Sequence, residues 1–143
     1  MTGYYLVLDQ LMAELKSYPF VNNVTEGLGD EIDLSKQTIF PLSHVNILSA
    51  NPIDNIVEFS IDVYAMDIVD ISDTDLDNKI EVLNTQYNVL LRLYESLRRG
   101  DLWDRGIQLT SMNIEFFEQA YENYIAGCRG TLTIAVPNHM SIC

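Results

Sequence analysis

The chain holds two imidazoles, His44 and His139. They form no HxH or HxxxH pair, the spacings that bring two ligands to one metal ion. Both read as ordinary structural or surface histidines. Asp73-x-Asp75-x-Asp77 opens like a calcium loop, but such a loop needs Gly at its sixth position and a bidentate Glu at its twelfth. Asn78 and Asn84 stand there instead, so the three acids read as residues of a helix start. Gly27-x-Gly29 lacks the Lys, the Ser and the helix start that let a phosphate loop work. No nucleophile elbow or dinucleotide fingerprint appears. Carboxylates are many, yet nothing in their spacing separates an acid from a base. The sequence therefore singles out no catalytic, metal or cofactor-binding residue, and neither an enzyme nor a cofactor is expected.

The elements that carry these residues follow from size and pattern. A chain of 143 residues with 48% hydrophobic content is expected to form one domain, 1–143, with a real core. Its formal net charge of -13 argues against binding nucleic acid, which needs a basic face to displace counterions. It argues equally against anionic membranes. No apolar stretch approaches the roughly 20 residues of a membrane span. Residues 1–10 show no basic region and no cleavage site, so no leader is expected. The protein is expected in the cytoplasm or in a particle assembled there. Cys128 and Cys143 are too few for a disulfide scaffold and read as reduced thiols. Cys143 is terminal, so no prenylation box is present.

Tyr5, Leu8, Met12 and Leu15 recur at helical spacing and predict a helix over 3–18, stopped by Pro19. Residues 21–25 are a short candidate strand. Residues 26–36 hold two glycines and the acids Glu26, Asp30, Glu31 and Asp33, and read as a loop or mobile hairpin tip. Residues 37–49 are extended, with Pro41 marking an edge or bulge. Residues 51–55 read as a turn. The clearest strand is 56–66. Val57, Phe59, Ile61, Val63 and Ala65 share one face, and Glu58, Ser60, Asp62, Tyr64 and Met66 share the other. Residues 67–72 lead to a helix of about 25 residues, opened by a capping box over Ser72–Asp75 and closed by Gly100. Its apolar ridge is expected at Leu76, Ile80, Leu83, Tyr87, Leu90, Tyr94 and Leu97. Two strands follow, over 107–119 and 121–136, the second closed by Pro137. The order α-β-β-β-α-β-β does not alternate helix with strand. It predicts an α+β fold with an antiparallel or mixed sheet and two helices packed on it.

Aromatic residues near expected loops, Trp103, Phe117, Tyr121 and Tyr124, suit either a protein interface or a core beneath those loops.

Several segments carry a resemblance. Asp33-Leu34-Ser35-Lys36-Gln37-Thr38-Ile39-Phe40-Pro41-Leu42-Ser43-His44-Val45 resembles a stretch of the tail-terminator or tail-completion proteins of tailed bacteriophages. So do Asp67-Ile68-Val69-Asp70, the helix end Leu93-Tyr94-Glu95-Ser96-Leu97-Arg98-Arg99-Gly100-Asp101-Leu102, and the ending from Val136-Pro137-Asn138 to Ser141-Ile142-Cys143. Together they span about residues 5 to 143. None is a catalytic motif. The resemblance implies a sheet flanked by helices, in a structural virion subunit that forms a homo-oligomeric ring of six or twelve copies. Such a ring sits at the head–tail neck or the tail end. It joins the portal, adaptor or other neck proteins to tail proteins, and DNA passes through its channel without specific binding. It is assembled in the host cytoplasm, with no membrane.

On that reading, Glu26, Asp30, Glu31 and Asp33, with Asp67 and Asp70 in the connection 67–77, are candidates to face the channel, where like charge lets DNA slide. Trp103, Tyr121 and Tyr124, with Pro137, Asn138 and Ile142 in a tail 137–143, are candidates for contact with neighbouring subunits. The competing reading is an acidic binding or adaptor module that mimics DNA toward a basic partner. A mimic needs acids spaced along one face, whereas here many fall in loops and at a helix start.

Overall fold

The computed structural model describes residues 4–26, 41–68, 77–99, 108–120 and 125–137. Its elements are α1 (Tyr4–Lys16), β1 (Asn23–Glu26), β2 (Leu42–Ile53), β3 (Ile56–Ile68), α2 (Asp77–Arg98), β4 (Gln108–Ala120) and β5 (Ile125–Pro137). This is the α-β-β-β-α-β-β order of an α+β fold. The five strands form one mixed sheet in the order β1-β2-β3-β5-β4. β1 runs parallel to β2, and every other neighbouring pair is antiparallel.

α1 forms where an apolar stripe recurs every three to four residues. It buries Val7, Leu8, Leu11 and Leu15, with Met12 at the margin. Its last turn tightens as the Ser17 and Tyr18 amides donate to the Glu14 and Leu15 carbonyls at 3.1 and 3.2 Å. Pro19 then bars further helix. The amides of Asn22 and Asn23 both donate to the Pro41 carbonyl, at 2.9 and 3.3 Å, which pins the start of β1 beside the start of β2.

The hairpin of β2 and β3 is longer than the pattern predicts. β2 runs on through Asn51, Pro52 and Ile53, and the turn is only Asp54 and Asn55. Asp54 takes a φ of 51°, in the left-handed region that Asp and Asn tolerate in tight turns. A proline survives inside β2 because the pair closing a two-residue turn exchanges hydrogen bonds and the next pair does not. Pro52 occupies that next pair, opposite Val57, so its missing N–H would point away from β3.

β3 behaves as its alternation predicts toward the helices: Phe59, Ile61, Val63 and Ala65 are buried in the main core. α2 crosses β3, β5 and β4 on that face. Its buried stripe is Val82, Gln86, Val89, Leu90, Leu93 and Leu97, which corrects the ridge expected from spacing. Ile80 is 60% exposed, and Tyr87 and Tyr94 sit at the flanks. The roll of the helix keeps tyrosine hydroxyls near water and leaves branched aliphatics to fill the sheet surface. It also draws Gln86 into the core, where both its side-chain amide atoms lack hydrogen-bond partners. The expected capping box and Gly100 lie outside the described residues, as does Leu76.

Candidate functional site

Among the described residues both helices lie on one face of the sheet, and strand register composes the opposite face. Register aligns its side chains in rows across the strands. One row is apolar: Leu42, Met66, Gly127 and Phe117. The next is Thr25, His44, Tyr64, Arg129 and Glu115. Then come Asn46, Asp62, Thr131 and Asn113, followed by Ser49, Ser60, Thr133 and Ser111. The surface thus grades from apolar through charged to hydroxyl-rich.

The apolar row forms a second small core. Leu42, Met66 and Ile125 are buried, with Tyr64 and Phe117 packed on them. Gly127 is required there: a Cβ would collide with the Ala65 carbonyl oxygen. The next row is polar but not solvated throughout. His44 is 1% exposed, and its Nδ1 lies 2.6 Å from Thr25 Oγ1, with donor and acceptor set by the tautomer. Its ring lies 6.0 Å from that of Tyr64, which in turn stands 6.4 Å edge-on to Phe117. Arg129 donates to Glu115 Oε2 at 2.9 Å. One row further, Thr131 Oγ1 donates to the buried Asp62 at 3.0 Å. These pairs are cross-strand neighbours, which is how polar groups in a sheet satisfy one another.

A second polar knot ties the helices together. Glu14 Oε1 accepts from the Tyr18 hydroxyl at 2.9 Å and from Ser96 Oγ at 3.0 Å. The Arg92 guanidinium lies 4.7 Å over the Tyr18 ring. Burial first, then Glu14, push the Tyr18 hydroxyl well above the usual phenol range, against the opposing pull of Ser96 and Arg92. Beside it is a shallow hollow of about 110 Å³ lined by Tyr18, Pro19, Phe20, Asn88, Val89 and Arg92. Burial pushes the Cys128 thiol up from 9.0 to about 12, so it stays protonated at neutral pH. Among the described residues, no group of three or more His, Cys, Asp or Glu side chains is placed to hold a metal ion. No helix among them is long and apolar enough to cross a membrane.

Three of the residues that sequence offers as channel-facing or intersubunit candidates fall on strands. Glu26 is the exposed last residue of β1 rather than the opening of a loop. Asp67 lies inside β3, paired with Ala126, and not in the connection to α2. Its Oδ1 accepts from the Ile68 amide at 2.8 Å. Burial raises its pKa above 3.8, and the Ile68 hydrogen bond opposes that. Pro137 ends β5 opposite Ile56, so it belongs to the sheet rather than to a tail. Each correction has the same cause: a partner strand extends pairing past the point where local pattern stops. Asp30, Glu31, Asp33, Asp70, Trp103, Tyr121, Tyr124, Asn138 and Ile142 lie outside the described residues. Sequence reading missed the cross-strand polar pairs of two adjacent rows. The buried His44 and Asp62 and the half-buried Arg129 sit at alternate strand positions that look solvated until register sets them beside Thr25, Thr131 and Glu115.

Compared with known proteins, the chain matches no family model, and no curated protein aligns with it significantly.

Proposed function

We propose that this chain is a structural subunit of a tailed bacteriophage, forming a ring at the head–tail neck or the tail end. The ring joins the connector to the tail and leaves a channel through which DNA passes unbound. Its partners are further copies of itself, neck proteins on the head side and tail proteins on the other, and its place is the virion, after assembly in the host cytoplasm. The observation that carries this reading is architectural. The resemblance implies a sheet flanked by helices, and the chain folds as a five-stranded sheet with both helices on one face. A net charge of -13 suits a wall past which DNA must slide.

Native mass spectrometry of the purified chain, alone and mixed with the products of neighbouring genes, tests it. A closed species of six or twelve copies, formed alone or nucleated by a neighbour, is expected. A monomer under every condition overturns the ring and favours an acidic module acting on a basic protein, detectable as competition with DNA for that protein.

A further inference from the structure

The sheet is open at two borders that lie on opposite sides. β4 is one border and, among the described residues, pairs only with β5. At the other, β1 covers only residues 42–45 of β2. Residues 48–53 of β2 are all exposed, and among the described residues no strand covers that edge of the stretch, which forms an arm. The unpaired N–H and C=O groups of such edges are templates for another strand.

The two edges match. β2 is antiparallel to β3, β3 to β5, and β5 to β4, so β2 and β4 run in opposite senses. Copies set side by side with their helices on the same face therefore bring β4 of one against β2 of the next as an antiparallel pair. Irregularities at 109/111 and 117/120 leave β4 a regular stretch over 111–117, and the irregularity at 47/49 leaves β2 a regular stretch over 49–53. These breaks limit pairing to one short window. Residues 49–53 carry no charge, whereas 111–117 include Glu115. Pairing the two puts no like charges in one ladder, while a two-fold pairing of β4 with itself would place two Glu115 side chains there. Apolar side chains flank both edges. Phe116 is 56% exposed and lies against Tyr87 beside β4, and Leu48 and Ile53 are 51% and 40% exposed on the arm.

We infer that residues 49–53 of β2 in one copy pair antiparallel with residues 111–117 of β4 in the next, so that the subunits join through a continuous sheet. This rests on the ring reading: a contact between two different surfaces, repeated with a rotation, closes a ring. Ala50 is the key position. Pairs alternate from the turn-closing Ile53 and Ile56, so Ala50, opposite Phe59, turns its backbone groups outward as Pro52 does. Pro52 has no N–H, which leaves Ala50 the outward donor of the stretch.

Ala50→Pro removes that donor and keeps every bond between β2 and β3. Ala50→Val retains it. The measurement is native mass spectrometry under the conditions where the parent chain closes, with thermal melting to verify the fold. Ala50→Pro is expected to assemble about tenfold or more weakly, and Ala50→Val to assemble like the parent. Hydrogen exchange on the parent supplies a readout that needs no variant: amides within 49–53 and 111–117 should slow in the oligomer relative to the monomer. Full assembly of Ala50→Pro, or equal exchange of these amides in both states, overturns the edge pairing and leaves the ring standing. A two-fold dimer that protects 111–117 alone also overturns it. A parent chain that never closes overturns the ring reading and this contact with it.

Discussion

The two halves of β2 are one strand under two regimes. Residues 42–46 are buried at every position, whereas residues 48–53 are exposed at every position. Both halves pair with β3. One difference lies alongside the strand: β1 pairs with residues 42–45, and among the described residues no strand pairs with residues 48–53 on that side. Alternation along a strand says which side chains share a face. It does not say how many faces are covered, and here the two halves need opposite answers.

The largest expected effect falls on the buried end. Gly127→Ala places a methyl group against the Ala65 carbonyl and the Met66 backbone, and neither can yield without opening the ladder. A loss of about 3 kcal/mol or more is expected in chemical denaturation. A loss below about 1 kcal/mol would show that the close approach of β5 to β3 is soft.

Leucine truncation then compares the halves directly. Leu42 is 1% exposed and Leu48 is 51% exposed. Leu42→Ala is expected to cost about 2–5 kcal/mol, and Leu48→Ala to stay within about 0.5 kcal/mol in the monomer. Equal costs would erase the distinction between root and arm.

Gln86 sharpens the comparison from the helix side. Its amide is buried on α2 without partners, so Gln86→Met exchanges an unsatisfied group for an apolar side chain of similar length. An increase of about 1–2 kcal/mol in unfolding free energy is expected. A decrease would mean the amide is engaged in solution.

The smallest effect belongs to Asp67, near the buried end of β3. Its raised pKa means the folded state holds the proton more tightly than the unfolded state does. Asp67 therefore weakens the fold as pH rises from about 3.8 through the folded pKa. Asp67→Asn should melt slightly higher than the parent at neutral pH and converge with it in acid. A gap of constant size across the titration would assign the effect to something other than the carboxyl proton.

Much of this fold is legible in the residues. The element order, the two faces of β3 and the end of α1 near Pro19 follow from periodicity and from prolines acting over a few positions. The roll of α2 is not legible in this way. Ile80, Tyr87 and Tyr94 complete a better apolar spacing than Val82, Gln86 and Val89. The sheet beneath selects the second set, because tyrosine hydroxyls are cheaper to hydrate at a flank than to bury. Nor is the polar row on the helix-free face. Arg129 and Glu115 look like two unrelated surface charges until β5 and β4 are set in register.

By itself the sequence determined the local segments: where helix or strand is cheap, which side chains share a face, and an acidic chain able to bury a core. The tertiary structure alone decided the order β1-β2-β3-β5-β4, the seating of α2, and the burial of His44 and Asp62. Among the described residues it also left the arm of β2 and the edge of β4 without a strand partner on opposite borders. The physical reason is range. Propensity and turn chemistry act between neighbours in the chain, whereas strand order and burial depend on partners such as Asp62 and Thr131, brought together from sixty-nine positions apart.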